Sequence, residues 1–229
     1  MKPWKKSGWV IPPSQNGDFV ANMENVLDVY KRPYDQKRPV VCMDESPKQM
    51  IEETKTPIEA KPGSVEKFDY EYERKGVCNI FMSNEPLGGK RLVKVTERKQ
   101  KKDWAHFVEE IANEYPHAEK ITLVMDNYET HKPGSLYEAF PAQKAKKIRD
   151  RFEFVYTPKH GSWLNMAEIE LNVLMGQCLA GRIPDIDQIK TQVKEWQKAR
   201  NNKNAKINWQ FTTEDARIKL KRLYPTFET

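Results

Sequence analysis

The sequence predicts an α/β fold, a mixed sheet flanked by helices. Three short runs of β-branched and aromatic residues predict buried strands: PVVCMDE from Pro39, ITLVMDN from Ile121 and FEFVYTP from Phe152. Segments with helical spacing separate these runs, and a crossover between parallel strands needs about a dozen residues or more. Strand-like stretches with short turns follow the first run, so the sheet combines antiparallel and parallel neighbours.

The first third of the chain contains one predicted helix and one predicted strand. Residues 1–20 form an irregular lead-in, and apolar residues then recur at helical spacing up to Tyr30, with Asp18 as the expected cap. The PVVCMDE strand closes at Asp44. Residues 46–68 hold three Pro and one Gly, which predicts a long loop.

Antiparallel strands and further helices complete the order. YEYERKGVCNIFMSNEP contains two strand pieces split by Lys75 and Gly76, and RLVKVTERK follows a turn. DWAHFVEEIANEY predicts an amphipathic helix with Asp103 as its cap. SLYEAF and PAQKAKKIRDR predict short helices before the third buried strand. After that strand we expect helices at about 163–180 and 185–204, and a last turn in TTEDARIKLKRLY.

Composition narrows the classes of protein. The chain has 229 residues, a net charge of +6 and a hydrophobic share of 38%, with six Trp, nine Tyr and nine Phe, so it should fold and prefer an anionic partner such as nucleic acid. Cys42, Cys78 and Cys178 lack CxxC spacing, which argues against a zinc site or a disulfide framework. No signal peptide or membrane span is visible, so we expect a cytoplasmic protein.

Carboxylates occupy places where a fold would hold them rigidly. Asp44 and Asp126 close two apolar strands, and ligands of α/β sheets bind beyond such strand ends. Mg²⁺ takes carboxylate oxygens together with the oxygens of a phosphate substrate. The pattern therefore predicts a metal-dependent enzyme acting on phosphodiesters, although either aspartate alone would more often be structural.

The helix after Pro158 offers a third carboxylate. Two apolar stripes run along it, one through Leu164, Ala167, Leu171, Leu174 and Cys178, the other through Met166, Ile169 and Val173. A polar ribbon of Asn165, Glu168 and Asn172 lies between them, and Glu170 falls in the opposite gap. A carboxylate on a buried helix must be paired, protonated or bound to metal. Helical phase alone leaves both glutamates open.

Three sequence blocks, in this order, carry a family resemblance: VVCMDE, LVMDNYETH and YTPKHGSWLNMAEIELNVL. Together they look like the catalytic domain of a DDE transposase of the mariner-like insertion-sequence superfamily, in its bacterial branch. The resemblance continues through CNIFMSNEPLGGKRLVKVTERK, LYEAFPAQKAK and WQFTTEDARIKLKRLYP, so it covers nearly the whole chain. It implies an RNase H-like mixed five-stranded sheet flanked by helices. It also implies that Asp44, Asp126 and Glu168 are the catalytic metal ligands.

The resemblance implies a mechanism and partners as well. Two Mg²⁺ or Mn²⁺ ions would serve DNA strand cleavage by water and strand transfer by the freed 3′-hydroxyl, with Asp44 bridging both ions. Double-stranded DNA, as element ends and target, is the expected partner, with a homodimer on paired ends and insertion at TA dinucleotides. The family places a helix-turn-helix region before this domain. We therefore expect a catalytic half or the second product of a split frame, with a possible separate helix-turn-helix subunit.

Three regions follow from this interpretation. Residues 1–38 would be an N-terminal lead-in with a helix, the remnant of a linker to a helix-turn-helix region. Residues 39–182 would form the RNase H-like catalytic core, and residues 183–229 a C-terminal helical extension. A nucleoid-associated location in a bacterial cytoplasm fits this function.

Several further residues are candidates for supporting the metal ligands or contacting DNA. They are Asn127, His131, Lys159, His160, Trp163 and Asn165. Each histidine has an equally good local structural explanation, Trp163 is more often a core residue at such a helix start, and Ser162 is the expected helix cap. Two basic runs could follow the DNA backbone or simply be solvated: Arg98, Lys99, Lys101 and Lys102, and Lys144, Lys146, Lys147 and Arg149.

Two other functions stay open beside the transposase. A stand-alone nuclease of the same fold would cut DNA without joining it. A non-catalytic remnant would bind DNA or a partner transposase and regulate it.

Overall fold

A five-stranded mixed sheet forms the centre of the protein. The computed structural model describes residue 11 and residues 14–226. The strands are β1 (Val40–Glu53), β2 (Tyr72–Glu85), β3 (Lys90–Thr96), β4 (Ile121–Met125) and β5 (Phe152–Tyr156). Their order across the sheet is β3-β2-β1-β4-β5. β2 is antiparallel to both β1 and β3, and β4 is parallel to both β1 and β5. The predicted mixed sheet of five strands is confirmed.

Helices cover both faces of this sheet. They are α1 (Gly17–Tyr30), α2 (Lys101–Glu114), α3 (Gly134–Ala139), α4 (Ala142–Arg149), α5 (Met166–Gln177), α6 (Ile186–Asn202) and α7 (Thr213–Lys219). Every predicted helical segment contains a helix. The predicted lead-in is too long, because α1 already begins at Gly17, and residues 1–10, 12 and 13 of that lead-in lie outside the described residues. Within the described part, no helix is long and apolar enough to span a membrane.

The predicted end of the first strand at Asp44 is wrong. β1 pairs with β4 only from Val40 to Cys42, but it stays paired with β2 as far as Glu53. Residues 46–53 of the predicted loop therefore belong to the sheet. Beyond Cys42 the strand is an edge strand, a position that tolerates Pro47. Asp44 thus lies inside β1, at the point where β1 leaves β4 and continues as a two-stranded arm with β2.

The predicted break at Lys75 and Gly76 is a bulge within one continuous strand. Met50 pairs with Gly76 and Ile51 with Arg74, so Lys75 is the extra residue between them. Gly76 has a φ of 104°, a conformation that residues with a side chain rarely adopt. The two predicted strand pieces are therefore the single strand β2.

Alternation along β1 sends neighbouring side chains to opposite faces of the sheet. Val41 and Met43 join the core beneath α2, α3 and α4, whereas Cys42 joins the core beneath α1 and the start of α5. Asp44 follows the alternation of Cys42. Its side chain therefore lies on the face where α5 packs against β1 and β2.

Two helices begin at a different capping residue from the predicted one. Asn16, not Asp18, caps α1, and its side chain accepts a hydrogen bond of 2.9 Å from the backbone N–H of Phe19. Gln100 precedes α2, and the Asp103 carboxylate accepts the Gln100 backbone N–H at 2.8 Å. Both aspartates lie in the first turn, where a negative charge interacts favourably with the helix dipole.

Helix α6 protects the free edge of β3. The Gln197 side chain accepts the backbone N–H of Val93 at 2.7 Å, and Asn201 bonds both the N–H and the carbonyl oxygen of Arg91, at 2.8 and 2.9 Å. Unpaired backbone groups at a sheet edge are a template for unwanted pairing. These side chains satisfy them and anchor α6 against the sheet.

Candidate active site

Asp44 is a buried carboxylate held from two sides. Only 9% of the residue is exposed. Its Oδ1 accepts the backbone N–H of Glu45 at 2.8 Å, and its Oδ2 lies 3.3 Å from the side-chain nitrogen of Asn165. The carboxylate is thereby oriented on the face of the sheet that α5 covers.

Asn165 connects this strand to helix α5. Its side-chain nitrogen donates to the carbonyl oxygen of Met43 at 2.8 Å, while its side-chain oxygen accepts the backbone N–H of Ala167 at 3.1 Å. Asn165 is therefore the N-cap of α5, and the prediction that Ser162 is the cap is wrong. Ser162 instead begins a 3-10 turn that ends at Leu164. Asn165 is 1% exposed, so its side chain is buried between β1 and the start of α5.

Asp126 lies directly after β4, as predicted, and contacts His131. The Nδ1–H of His131 donates to Oδ1 of Asp126, which also accepts the backbone N–H of Tyr128 at 3.3 Å. Burial acts to raise the pKa of Asp126, but the hydrogen bond and charge of His131 outweigh it and hold that pKa below its usual value. Asp126 is therefore ionised at neutral pH.

His131 also contacts a second carboxylate, Glu45. Its Nε2 lies 2.9 Å from Oε2 of Glu45, and only 4% of the Glu45 side chain is exposed. Burial alone would lower the pKa of His131, but the hydrogen bonds to Asp126 and Glu45 and their charges raise it to about 9. The imidazole is thus a buried cation between two carboxylates.

The two glutamates of α5 have different surroundings. Glu170 is fully buried and accepts two hydrogen bonds from Arg91, at 2.9 and 3.0 Å, and two from Arg200, at 2.9 and 3.2 Å. Glu168 lies in the first turn and is half-buried. The second apolar stripe is only partly buried, because Ile169 is 40% exposed. Glu170 is therefore saturated by arginines, and Glu168 is the glutamate of α5 that remains available to a ligand.

The carboxylates influence one another through their charges. Burial raises the pKa of Asp44 to about 7, and the negative charges of Asp126, Glu45 and Glu168 act in the same direction despite the hydrogen bond from the Glu45 N–H. Asp44, Asp126 and Glu168 thus share one region of negative charge. Among the described residues, no three His, Cys, Asp or Glu side chains already stand in positions that would enclose a metal ion.

The other predicted site residues divide into exposed and packed groups. Asn127, Lys159 and His160 are exposed. Asn127 directly follows Asp126, and His160 has a φ of 64° in the turn before α5. Trp163 is half-buried and meets Phe211 edge-on, with ring centroids 6.1 Å apart, so it packs in the core of the α1 face.

Both basic runs are exposed, and several of their side chains have acidic or aromatic partners. Lys101 pairs with Glu138, Lys144 with Glu109 and Lys146 with Asp150, at 2.6 Å in each pair. Lys99 lies over the ring of Tyr128, 4.8 Å from its centroid. Because Tyr128 follows Asp126 by two residues, Lys99 is the basic side chain of the two runs that these contacts place beside the carboxylates.

Sequence reasoning missed Glu45 and the arginine pair around Glu170. The sequence shows that Glu45 directly follows the predicted metal ligand Asp44, but the contact of Glu45 with His131 spans 86 residues. Arg91 and Glu170 are 79 residues apart. No local pattern predicts such contacts.

The order β3-β2-β1-β4-β5, with helices on both faces, is that of the RNase H-like fold. A family model described as DDE superfamily endonuclease matches residues 39–190. The chain belongs to this family, as the sequence blocks predicted. A search of curated protein sequences finds no match.

Solved structures with this fold include those of the Mos1 mariner transposase. Its paired end complex with Mn aligns with a TM-score of 0.56 and 16% identity over 90% of this chain and 62% of that one. Its Strand Transfer Complex gives 0.54 and 16%, over 85% and 58%. The isolated Mos1 catalytic domain gives 0.52 and 13%, over 86% of this chain and 96% of that domain. The present chain thus spans about three fifths of the longer Mos1 chains, and the likeness confirms the predicted fold.

Proposed function

We propose that this chain is a transposase catalytic domain that cleaves DNA strands and transfers them to a target. The observation that carries the proposal is the placement of Asp44 on β1, Asp126 at the end of the adjacent β4 and Glu168 in the first turn of the helix that Asn165 links to Asp44, on an RNase H-like sheet in a DDE superfamily endonuclease. The catalytic assignment of these three residues stays a prediction. It is supported by the engagement of Glu170 with two arginines, which leaves Glu168 as the third carboxylate.

The donor set fits divalent cations. Carboxylate oxygens are the preferred ligands of Mg²⁺ and also suit Mn²⁺. The buried Asp44 beside other carboxylates is an arrangement that a cation would stabilise. Oδ1 of Asp126 is bonded to His131 and Tyr128, and no described residue donates to its Oδ2, so that oxygen can bind a cation. The side chains of Asp44, Asp126 and Glu168 would close around the metal, because they do not enclose one in this structure.

When bound, two Mg²⁺ or Mn²⁺ ions supply Lewis-acid activation of the attacking oxygen and stabilisation of the leaving oxygen. The residues of this chain do the rest. Asn165 links Asp44 to the start of α5, the helix turn that carries Glu168, and this link supports the assignment of both carboxylates to one site. Lys99 lies over Tyr128 and 4.0 Å from Oε1 of Glu45, and exposed Lys159 lies in the turn before α5; both would contact phosphate oxygens of DNA. Water attacks in cleavage, and the freed 3′-hydroxyl attacks in strand transfer.

The proposal extends to regions and partners. Residues 39–182 would be the catalytic core, 183–229 a helical extension, and 1–38 a lead-in to a helix-turn-helix region that recognises element ends. Paired end complexes of Mos1 contain transposon-end DNA, with Mn in one structure and Mg in another. These complexes support double-stranded DNA as the substrate. From the sequence resemblance we also propose a homodimer as the active form and action on the nucleoid in a bacterial cytoplasm.

A strand-nicking and joining assay tests this function. The wild-type chain, Asp44→Asn and the exposed-site control Asp35→Asn are incubated with supercoiled DNA, labelled linear DNA and Mg²⁺ or Mn²⁺. We expect metal-dependent nicking and joining by the wild type and by Asp35→Asn, and loss by several orders of magnitude in Asp44→Asn. Cutting without joining would identify a stand-alone nuclease. Metal-independent DNA binding with neither reaction would identify a regulatory remnant.

A further inference from the structure

His131 joins two carboxylates that belong to different strands. Its Nδ1 bonds Asp126 after β4, and its Nε2 bonds Oε1 of Glu45 on β1 at 3.2 Å. A carboxylate only accepts hydrogen bonds, so both ring nitrogens must donate for both contacts to be satisfied. Oδ1 of Asp126 is thereby tied through the imidazole to the strand that carries Asp44.

The imidazole itself is fixed on every side. His131 is 1% exposed, and its ring stacks on Trp104 with centroids 6.0 Å apart. Its backbone N–H donates to the carbonyl oxygen of Tyr128 at 3.0 Å, and its own carbonyl oxygen accepts the hydroxyl of Tyr156 at 2.9 Å. Burial, stacking and the bonds at both nitrogens restrict the orientation of the ring, and the ring in turn restricts the orientation of the Asp126 carboxylate.

Glu45 and Asp44 are consecutive residues of β1 with side chains on opposite faces of the sheet. Asp44 reaches the start of α5 through Asn165, and Glu45 reaches Asp126 through His131. The dipeptide Asp44–Glu45 therefore connects both to Asp126 and to the helix α5 that carries Glu168. This connection ties Asp44 to Asp126 through Glu45 and His131, and to the start of the helix that carries Glu168 through Asn165.

We infer that Glu45 and His131 are positioning residues, which hold the Asp126 carboxylate in the orientation needed to bind a divalent metal. The inference rests on the proposed function, since it assigns Asp126 as a ligand. Residues that orient metal ligands through hydrogen bonds typically contribute about 10- to 100-fold to metal affinity or activity. A pair that served stability alone would leave the metal affinity of the folded protein unchanged.

The probe is Mn²⁺, with binding to the full chain measured by calorimetry and by the electron paramagnetic resonance signal of free Mn²⁺. We expect Glu45→Ala and His131→Ala each to weaken Mn²⁺ binding about tenfold or more. Glu45→Gln keeps an oxygen that can accept from Nε2, and His131→Asn keeps a donor near the place of Nδ1, so each should lose less than the alanine variant. Glu52→Ala on the same strand and His117→Ala on the surface are the matched controls, and both should bind as the wild type does.

A double-mutant cycle separates positioning from general destabilisation. If Glu45 acts through His131, Glu45→Ala should weaken binding by less than about twofold in the His131→Ala background. Circular dichroism and thermal unfolding without metal identify variants that are unfolded, and Glu45→Gln and His131→Asn then carry the comparison. The half-saturating Mn²⁺ concentration for nicking should rise in parallel with the dissociation constant.

Each outcome has a distinct meaning. If the wild type binds Mn²⁺ and the folded Glu45 and His131 variants bind it equally well, the inference is overturned and the proposed function stays intact. Additive losses of affinity in the double-mutant cycle would have the same meaning. Absence of Mn²⁺ binding by the folded wild type would overturn the proposed function, and the inference with it. Weaker binding in the alanine variants, partial retention in the conservative ones and a non-additive cycle would support both.

Discussion

Substitutions at Glu168 and Glu170, two residues apart on α5, should have opposite effects: loss of stability without loss of nicking at Glu170, and loss of nicking without loss of stability at Glu168. Glu170 is fully buried and receives four hydrogen bonds from Arg91 and Arg200. Glu170→Ala would leave the fully buried Arg91 guanidinium without its carboxylate. Breaking a buried pair on one side costs about 3–5 kcal/mol of unfolding free energy. At about 2–4 °C per kcal/mol for a chain of this size, the midpoint should fall by roughly 6–20 °C.

Glu168→Ala should have little effect on stability. Glu168 is half-buried, and its negative charge contributes to the raised pKa of Asp44, so removing it relieves repulsion. We expect a change within about 0.5 kcal/mol. Metal-dependent nicking, in contrast, should fall by several orders of magnitude in Glu168→Ala and persist in Glu170→Ala at temperatures where that variant is folded.

Urea unfolding without metal, followed by Mn²⁺ binding and nicking on the same samples, measures both effects. Glu170→Gln is the matched control, because it keeps an acceptor for the arginines and should lose less stability than Glu170→Ala. The reasoning would be refuted if Glu168→Ala lost as much stability as Glu170→Ala. It would also be refuted if folded Glu170→Ala lost Mn²⁺ binding while Glu168→Ala kept it.

Three other substitutions follow from the contacts of the site. Asn165→Ala removes the α5 cap and the bond to the Met43 carbonyl, so urea unfolding should show a loss of about 1–3 kcal/mol; an unchanged midpoint would exclude this bridging role. The pKa of Asp44 is raised from 3.8 to about 7 in the folded protein, so between about pH 4 and 7 the unfolded chain has lost this proton while the folded chain still holds it. The free energy of unfolding without metal therefore falls as pH rises over that range. Asp44→Asn should therefore exceed the wild type in stability by an amount that grows over that range, up to about 4 kcal/mol, and a constant difference would contradict the raised pKa. Gly161→Ala would place a Cβ 2.5 Å from Cγ of Pro158, so thermal unfolding should reveal a loss of about 1–3 kcal/mol, with Gly134→Ala, whose Cβ meets no atom within 4 Å, as the control.

Local patterns were sufficient for much of the architecture. The buried runs that became β4 and β5 and the amphipathic segment of α2 carry their own periodicity, which depends only on near neighbours along the chain. The extension of β1 beyond Asp44 had no such signal. SPKQM lacks an alternating pattern, and its pairing partner lies about 30 residues away on β2.

The same division holds at the site. The sequence by itself determined the fold class and the family, and through the family blocks it selected Asp44, Asp126 and Glu168, a prediction that awaits the metal-binding and nicking assays. It left Glu168 and Glu170 equivalent by helical phase, because phase describes one helix without its neighbours. Only the tertiary structure decided that Glu170 belongs to Arg91 and Arg200, and that Glu45 reaches Asp126 through His131. Glu170 is 79 residues from Arg91 and 30 from Arg200, and Glu45 is 86 from His131, so only the packing of strands and helices brings them together.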